Sequence, residues 1–202
     1  ELEPYRTAWD AIGDLQDDDD PALRMTGKWA ELLPSIPEGE NYLFHTDRGE
    51  GLALFGWRRR YWSFLLKLSK RLPSWTITAQ PGSAIGPFHW KSRRLSMREL
   101  CRLQTFPDDF EVLGGRTSYQ RQIGNAVPSA LAEMLGLEIR RQLLGQRVRR
   151  RAPKLIPSRR TPVPRKERVR AVAEKYLQLV GDHADHPGTG LGPGAAAREA
   201  IG

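Results

Sequence analysis

Apolar and polar positions follow no single period through the first half of the chain, and only short windows predict an element. Thr7 to Leu15 has the length and pattern of a short helix. Tyr42 to His45 and Gly51 to Trp57 are strand-sized segments bounded by glycine and charge. Tyr61, Phe64, Leu65 and Leu68 fall on one face of a helix drawn over Tyr61 to Leu72. Thr76-Ile77-Thr78 is β-branched and predicts a strand, which Pro81-Gly82 ends. Pro34, Pro37 and Gly39 mark turns.

The second half reads more clearly. Ser96-Met97-Arg98-Glu99 predicts a capping box, in which hydroxyl and carboxylate each satisfy the other residue's N–H. The helix that follows buries Leu100 and Leu103 and ends before Pro107, because a residue preceding proline avoids helical angles. Pro128 opens a further helix, where a missing N–H costs nothing. Leu131, Met134, Leu135 and Ile139 form its apolar stripe, and Gly145 lies just past its end. A last helix is predicted from Arg165 to Val180. After it, six glycines among the final 22 residues, with no aromatics, predict a disordered end.

Composition narrows the class. The 202 residues are 39% hydrophobic, which excludes a wholly disordered chain. No apolar run approaches the length of a membrane span. The one cysteine, Cys101, can build neither an internal disulfide nor a Cys-based zinc site, which suggests a reduced, cytoplasmic protein. His45 and His89 have no second ligand at metal spacing, so no metal is expected. Asp17-Asp18-Asp19-Asp20 reads as a solvated loop. The chain opens at Glu1 with neither an initiator methionine nor a signal pattern, and we expect it to be trimmed or the back half of something longer.

The net charge of +8 is local in origin. Between Arg140 and Arg170 there are thirteen basic residues and one acid, Glu167, whereas the remainder holds 19 basic and 23 acidic residues. Prolines 153, 157, 162 and 164 interrupt the basic window, which therefore reads as a flexible arm drawn to nucleic-acid phosphates or as a solvated tail.

Two motif blocks carry chemistry. One runs from Arg93-Arg94-Leu95-Ser96-Met97-Arg98-Glu99 to Phe106-Pro107-Asp108-Asp109-Phe110. The other is Gln122-Ile123-Gly124-Asn125-Ala126-Val127-Pro128. In order and spacing they resemble the last two motifs of the DNA cytosine-5 methyltransferases, and Pro73 to Gly82 is similar to that family's target-recognition segment. The resemblance is firm from Pro73 to Leu144, weaker from Trp29 to Leu72, and absent beyond Gly145.

The resemblance implies a mixed α/β fold: a small irregular recognition domain, then helices that rejoin a Rossmann-like domain whose parallel sheet is largely missing from this chain. The expected organisation is a linker at 1–28, target recognition at 29–92, the return to the methyltransferase domain at 93–145, and the arm and tail at 146–202. It also implies S-adenosylmethionine as cofactor, lying against Asn125, Ala126 and Val127 at a turn entering a helix, with Gly124 bare where the ligand approaches.

DNA contacts are expected from Thr76, from Arg93 and Arg94, and from Arg58, Arg59 and Arg60 beside the aromatics Tyr61 and Trp62. Arginine forks can read guanine in the major groove. Arg98 and Glu99 are expected to be structural. The partner would be duplex DNA with a flipped cytosine.

The family's Pro-Cys nucleophile, its Glu-Asn-Val acid, its Gln-x-Arg-x-Arg strand and its Gly-rich cofactor loop are not in this sequence. Cys101 follows Leu100 inside a capped helix and reads as packing. The chain is thus expected to supply recognition within a prokaryotic restriction–modification methyltransferase and to be inactive without an N-terminal catalytic half. The alternatives are a non-catalytic DNA-binding specificity module, one subunit of a split methyltransferase, or an RNA methyltransferase on the same fold.

Overall fold

A computed structural model describes residues 4–57, 61–146 and 153–181. Four α-helices order the chain: α1 (Ala8–Ile12), α2 (Met97–Leu103), α3 (Arg116–Asn125) and α4 (Ser129–Gln142). Between α1 and α2 the described backbone runs as turns, short 3-10 segments and extended stretches. Its β pairing is limited to isolated bridges, such as Arg24 with Arg93 and Lys67 with Phe88.

Both short helices begin as their sequences require. Thr7 and Asp10 cap α1 reciprocally, as Ser96 and Glu99 cap α2. α1 packs on α2 and α2 on α3, so Trp9, Ile12, Trp90, Leu95, Leu100, Tyr119 and Ile123 share one apolar cluster. Residues 8–12, expected within a linker, are thus part of a core. A second cluster gathers Leu32, Leu33, Ile36, Tyr42, Leu54, Leu65 and Phe88, ringed by Trp29, Phe55 and Phe64.

The helix expected over Tyr61 to Leu72 does not form. Leu65 sits at φ 53°, and the backbone donors of Leu65, Lys67 and Leu68 go to Ala84, Glu40 and Phe88. Residues 65–70 are buried on every side, so one apolar face was the wrong template. Tyr42–His45 is a 3-10 turn capped by Asn41 rather than a strand. Gly51 to Trp57 contributes only the Phe55 bridge, and Thr76 to Thr78 joins no ladder.

The basic window holds the largest departure. Residues 153–181 form a strap that crosses both clusters instead of a free arm. Asp10 accepts from the Arg160 N–H at 2.8 Å, and Glu38 accepts from the Glu167 N–H at 2.7 Å. Lys70, wholly buried, spends its three donors on Glu38, on Glu167 and on the Arg165 carbonyl. Tyr176 closes the second cluster from a 3-10 turn, Glu174–Leu179, where a longer helix was expected. Val172 and Ala173 pack there too, and reaching that cluster keeps the segment extended. The tail from residue 182 lies outside the described residues.

Candidate nucleic-acid and cofactor interface

The first motif block is a brace. Glu99, fully buried, receives both Nη groups of Arg93 at 2.8 Å and the Ser96 N–H at 2.8 Å. His89 lies 3.4 Å away through Nε2, and burial holds it far below the usual imidazole range, so it stays neutral. Arg93 is only 9% exposed, and its fork is committed to this pair. This placement makes Arg93 an organising residue of the block.

The charged groups on the outer face of α2 are also paired. Asp108 accepts from Arg98 and Arg102, whose guanidinium groups hold its carboxyl well below the usual range, and Arg102 also reaches Asp14.

The second block is built differently from its expected form. Gln122 to Asn125 is the last turn of α3, and Ala126 to Pro128 is an extended link into α4. A Cβ on Gly124 would lie 2.5 Å from the Ala79 Cα and N. Glycine is therefore required there for the close contact with the Thr78–Ala79 backbone. Gln120 adds a second tie, donating to the Thr78 carbonyl at 2.7 Å.

At the start of α4, the Ser129 and Ala130 N–H groups are taken by the Gln104 carbonyl and the Thr105 hydroxyl. The Ala126 N–H bonds to Ile123. Asn125 and Val127 remain exposed.

Thr76 and Ala126 line one cavity of about 280 Å3, together with Trp75, Gln104, Gly124 and Pro128. Arg94 lies in a neighbouring one of about 560 Å3, with Thr78, Gln80 and Gln120. Arg58, Arg59 and Arg60 lie outside the described residues.

Sequence reasoning missed Arg116, which faces Arg94's cavity and donates to the Leu95 carbonyl at 2.8 Å. Burial first, and then the charge of Arg94, lowers its pKa. The available signal was a cation in the first turn of a helix, where the dipole disfavours it.

Cys101 is 5% exposed, with Sγ 2.7 Å from the Tyr119 hydroxyl, and burial pushes its thiol up. Among the described residues no group of three His, Cys, Asp or Glu side chains could hold a metal ion, and no helix is long and apolar enough to cross a membrane.

A family model described as C-5 cytosine-specific DNA methylase matches residues 12–141. The chain belongs to that family. Type II methyltransferase M.SacI of Streptomyces achromogenes is 41% identical over 150 residues, which cover 69% of this chain and 38% of that protein. M.NgoFVII of Neisseria gonorrhoeae is 36% identical over 134 residues, covering 63% and 34%. M.BbvI of Brevibacillus brevis is 35% identical over 136 residues, covering 66% and 36%. This methylase chain thus spans little more than a third of the relatives it resembles. No solved structure matches it. The family match ends at residue 141, so the strap lies beyond it.

Proposed function

We propose that this methylase chain is the target-recognition and cofactor-flanking portion of a type II DNA (cytosine-5-)-methyltransferase of a prokaryotic restriction–modification system, acting in the cytoplasm. The observation that carries this reading is that the recognition segment and the last motif form one structure. Thr76 and Ala126 share a cavity, and Gly124 and Gln120 fasten that segment to α3.

In this reading residues 29–92 read duplex DNA; Thr76 and Arg94 contact the backbone beside the flipped cytosine, and the sequence assigns base reading to Arg58, Arg59 and Arg60. Arg116 adds a second positive charge to the cavity that Arg94 lines. Asn125, Ala126 and Val127 form one wall for S-adenosylmethionine. A 280 Å3 cleft is small for such a ligand, in keeping with one wall rather than a whole site. The bound cofactor supplies the methyl group.

α4 leaves Leu131, Met134, Leu135 and Ile139 between 48% and 54% exposed in a row. We assign this stripe to contact with a Rossmann-like catalytic half. Methyl transfer to C5 needs a thiolate to attack C6 of an extruded base. Cys101 cannot serve, because it is buried, bonded to Tyr119 and biased toward the neutral thiol. Transfer therefore depends on a Pro-Cys loop supplied by the catalytic half.

Anisotropy titration of labelled duplex DNA against the chain tests recognition. Arg94→Gln is expected to weaken binding about tenfold with no loss of melting temperature. Duplex DNA should also outcompete tRNA. Equal binding by Arg94→Gln and wild type, or preference for tRNA, contradicts the reading.

A further inference from the structure

Beside the strap lies a groove of about 740 Å3 lined by neither Thr76, Arg94 nor the Gln122–Pro128 block. Glu167, Arg168 and Arg170 of the strap line it, together with Arg24, Lys67, Lys91 and Arg93 of the family domain. Six basic side chains thus face two acids, Glu31 and Glu167. Both acids are already engaged, Glu31 by Lys175 and Glu167 by Lys70.

Of the bases, Lys91 pairs with Asp17, Arg93 with Glu99, and Lys67 donates to the Ile36 carbonyl. The guanidinium groups of Arg24, Arg168 and Arg170 have no carboxylate among the described residues, and all three residues are exposed.

The strap is fixed where it matters. The Glu167 N–H bonds to Glu38 and the Arg170 N–H to the Pro34 carbonyl at 3.0 Å, so Arg168 sits between two anchored positions. Arg165 and Lys166 continue the exposed basic row. Guanidinium forks held at a fixed edge suit tetrahedral oxyanions, which they can bind through two oxygens.

We propose that this groove is a phosphate site that takes the phosphodiester backbone of duplex DNA outside the recognised sequence. The strap would thereby extend the DNA footprint of the family domain with a sequence-independent contact. This rests on the recognition reading above for its DNA, but not for its phosphate chemistry.

The test uses the full 202-residue chain and the triple variant Arg24→Gln/Arg168→Gln/Arg170→Gln. All three side chains are exposed, so melting temperature is expected to hold. Binding to two duplexes of unrelated sequence is followed between about 50 and 200 mM salt, a range over which each phosphate contact adds to the fall in affinity. In parallel, melting is recorded with and without pyrophosphate.

The expected result is a salt slope shallower by about 2 to 3 in the variant, at roughly 0.9 per phosphate contact, with equal loss on both duplexes. Pyrophosphate should raise the melting temperature of wild type but not of the variant. Equal slopes with no pyrophosphate shift overturn the proposal. A pyrophosphate shift that the variant loses, with an unchanged DNA slope, overturns the DNA assignment and identifies free phosphate as the ligand. If wild type binds no duplex at all, the recognition reading fails, and the pyrophosphate arm alone decides the groove.

Discussion

Replacing Tyr176 with alanine removes the side chain by which the strap enters the second cluster. Tyr176 is 3% exposed, lies 5.9 Å from Trp29 with an interplanar angle of 17°, and donates its hydroxyl to the Lys28 carbonyl at 2.8 Å. Truncating a buried aromatic to alanine costs about 3–5 kcal/mol, through lost transfer energy and the cavity left behind. The strap is a surface segment that can resettle, which favours the lower end, about 3 kcal/mol. Tyr176→Phe keeps the ring and loses one hydrogen bond, about 1 kcal/mol. Leu177→Ala, at a position 46% exposed, serves as the control and should cost under about 0.5 kcal/mol. Urea unfolding followed by tryptophan fluorescence reads all three, because Trp29 is the stacking partner. For a domain of this size the alanine variant should melt roughly 6–12 °C lower. If Tyr176→Ala matches Leu177→Ala, the segment is a free arm and the packing argument is refuted.

Glu99→Gln leaves the Arg93 charge buried with a neutral partner, and losses from breaking such pairs run to about 3–5 kcal/mol; an unchanged urea midpoint would contradict the brace. Gly124→Ala places a methyl 2.5 Å from the Ala79 backbone, which cannot yield as a flexible side chain would, and should cost at least about 1–3 kcal/mol; a neutral effect would mean α3 and the Thr78–Ala79 backbone are not in contact. Burial lowers Lys67 to about 8 from its ordinary 10.5. Between those values the unfolded chain holds the extra proton, so stability should rise with pH across that window, and Lys67→Met should flatten the rise. His89 is held neutral in the fold, so stability should fall below about pH 6.5, by up to roughly 1.4 kcal/mol per pH unit, as the unfolded imidazole protonates; an NMR titration showing His89 protonating near 6.5 in the folded chain would refute its burial.

Local signals were legible where a few adjacent residues decide the structure. The Ser96–Glu99 capping box, the stop before Pro107, the start of α4 after Pro128 and the left-handed Gly145 at φ 61° all follow from nearest-neighbour chemistry. Residues 61–72 were misread because burial on all sides erases periodicity, and because their backbone partners, Glu40, Ala84 and Phe88, are remote in sequence. The strap was misread for the opposite reason. Its charge and prolines describe a solvated segment, while the contacts that fix it come from Asp10, Pro34, Glu38 and Lys70, more than ninety residues away. In the candidate site, the motif spacing named Thr76 and Ala126 but could not show that they share a cavity. Nor could it show that Arg93 is spent on Glu99, or that the bare side of Gly124 meets Ala79.

The most direct measurement is transfer of labelled methyl from S-adenosylmethionine to duplex DNA by the purified chain, alone and then mixed with a family catalytic half that carries the Pro-Cys loop. No incorporation is expected from the chain alone, and label is expected at C5 of cytosine once the two are combined. Methylated cytosine formed by the 202-residue chain on its own would contradict this expectation.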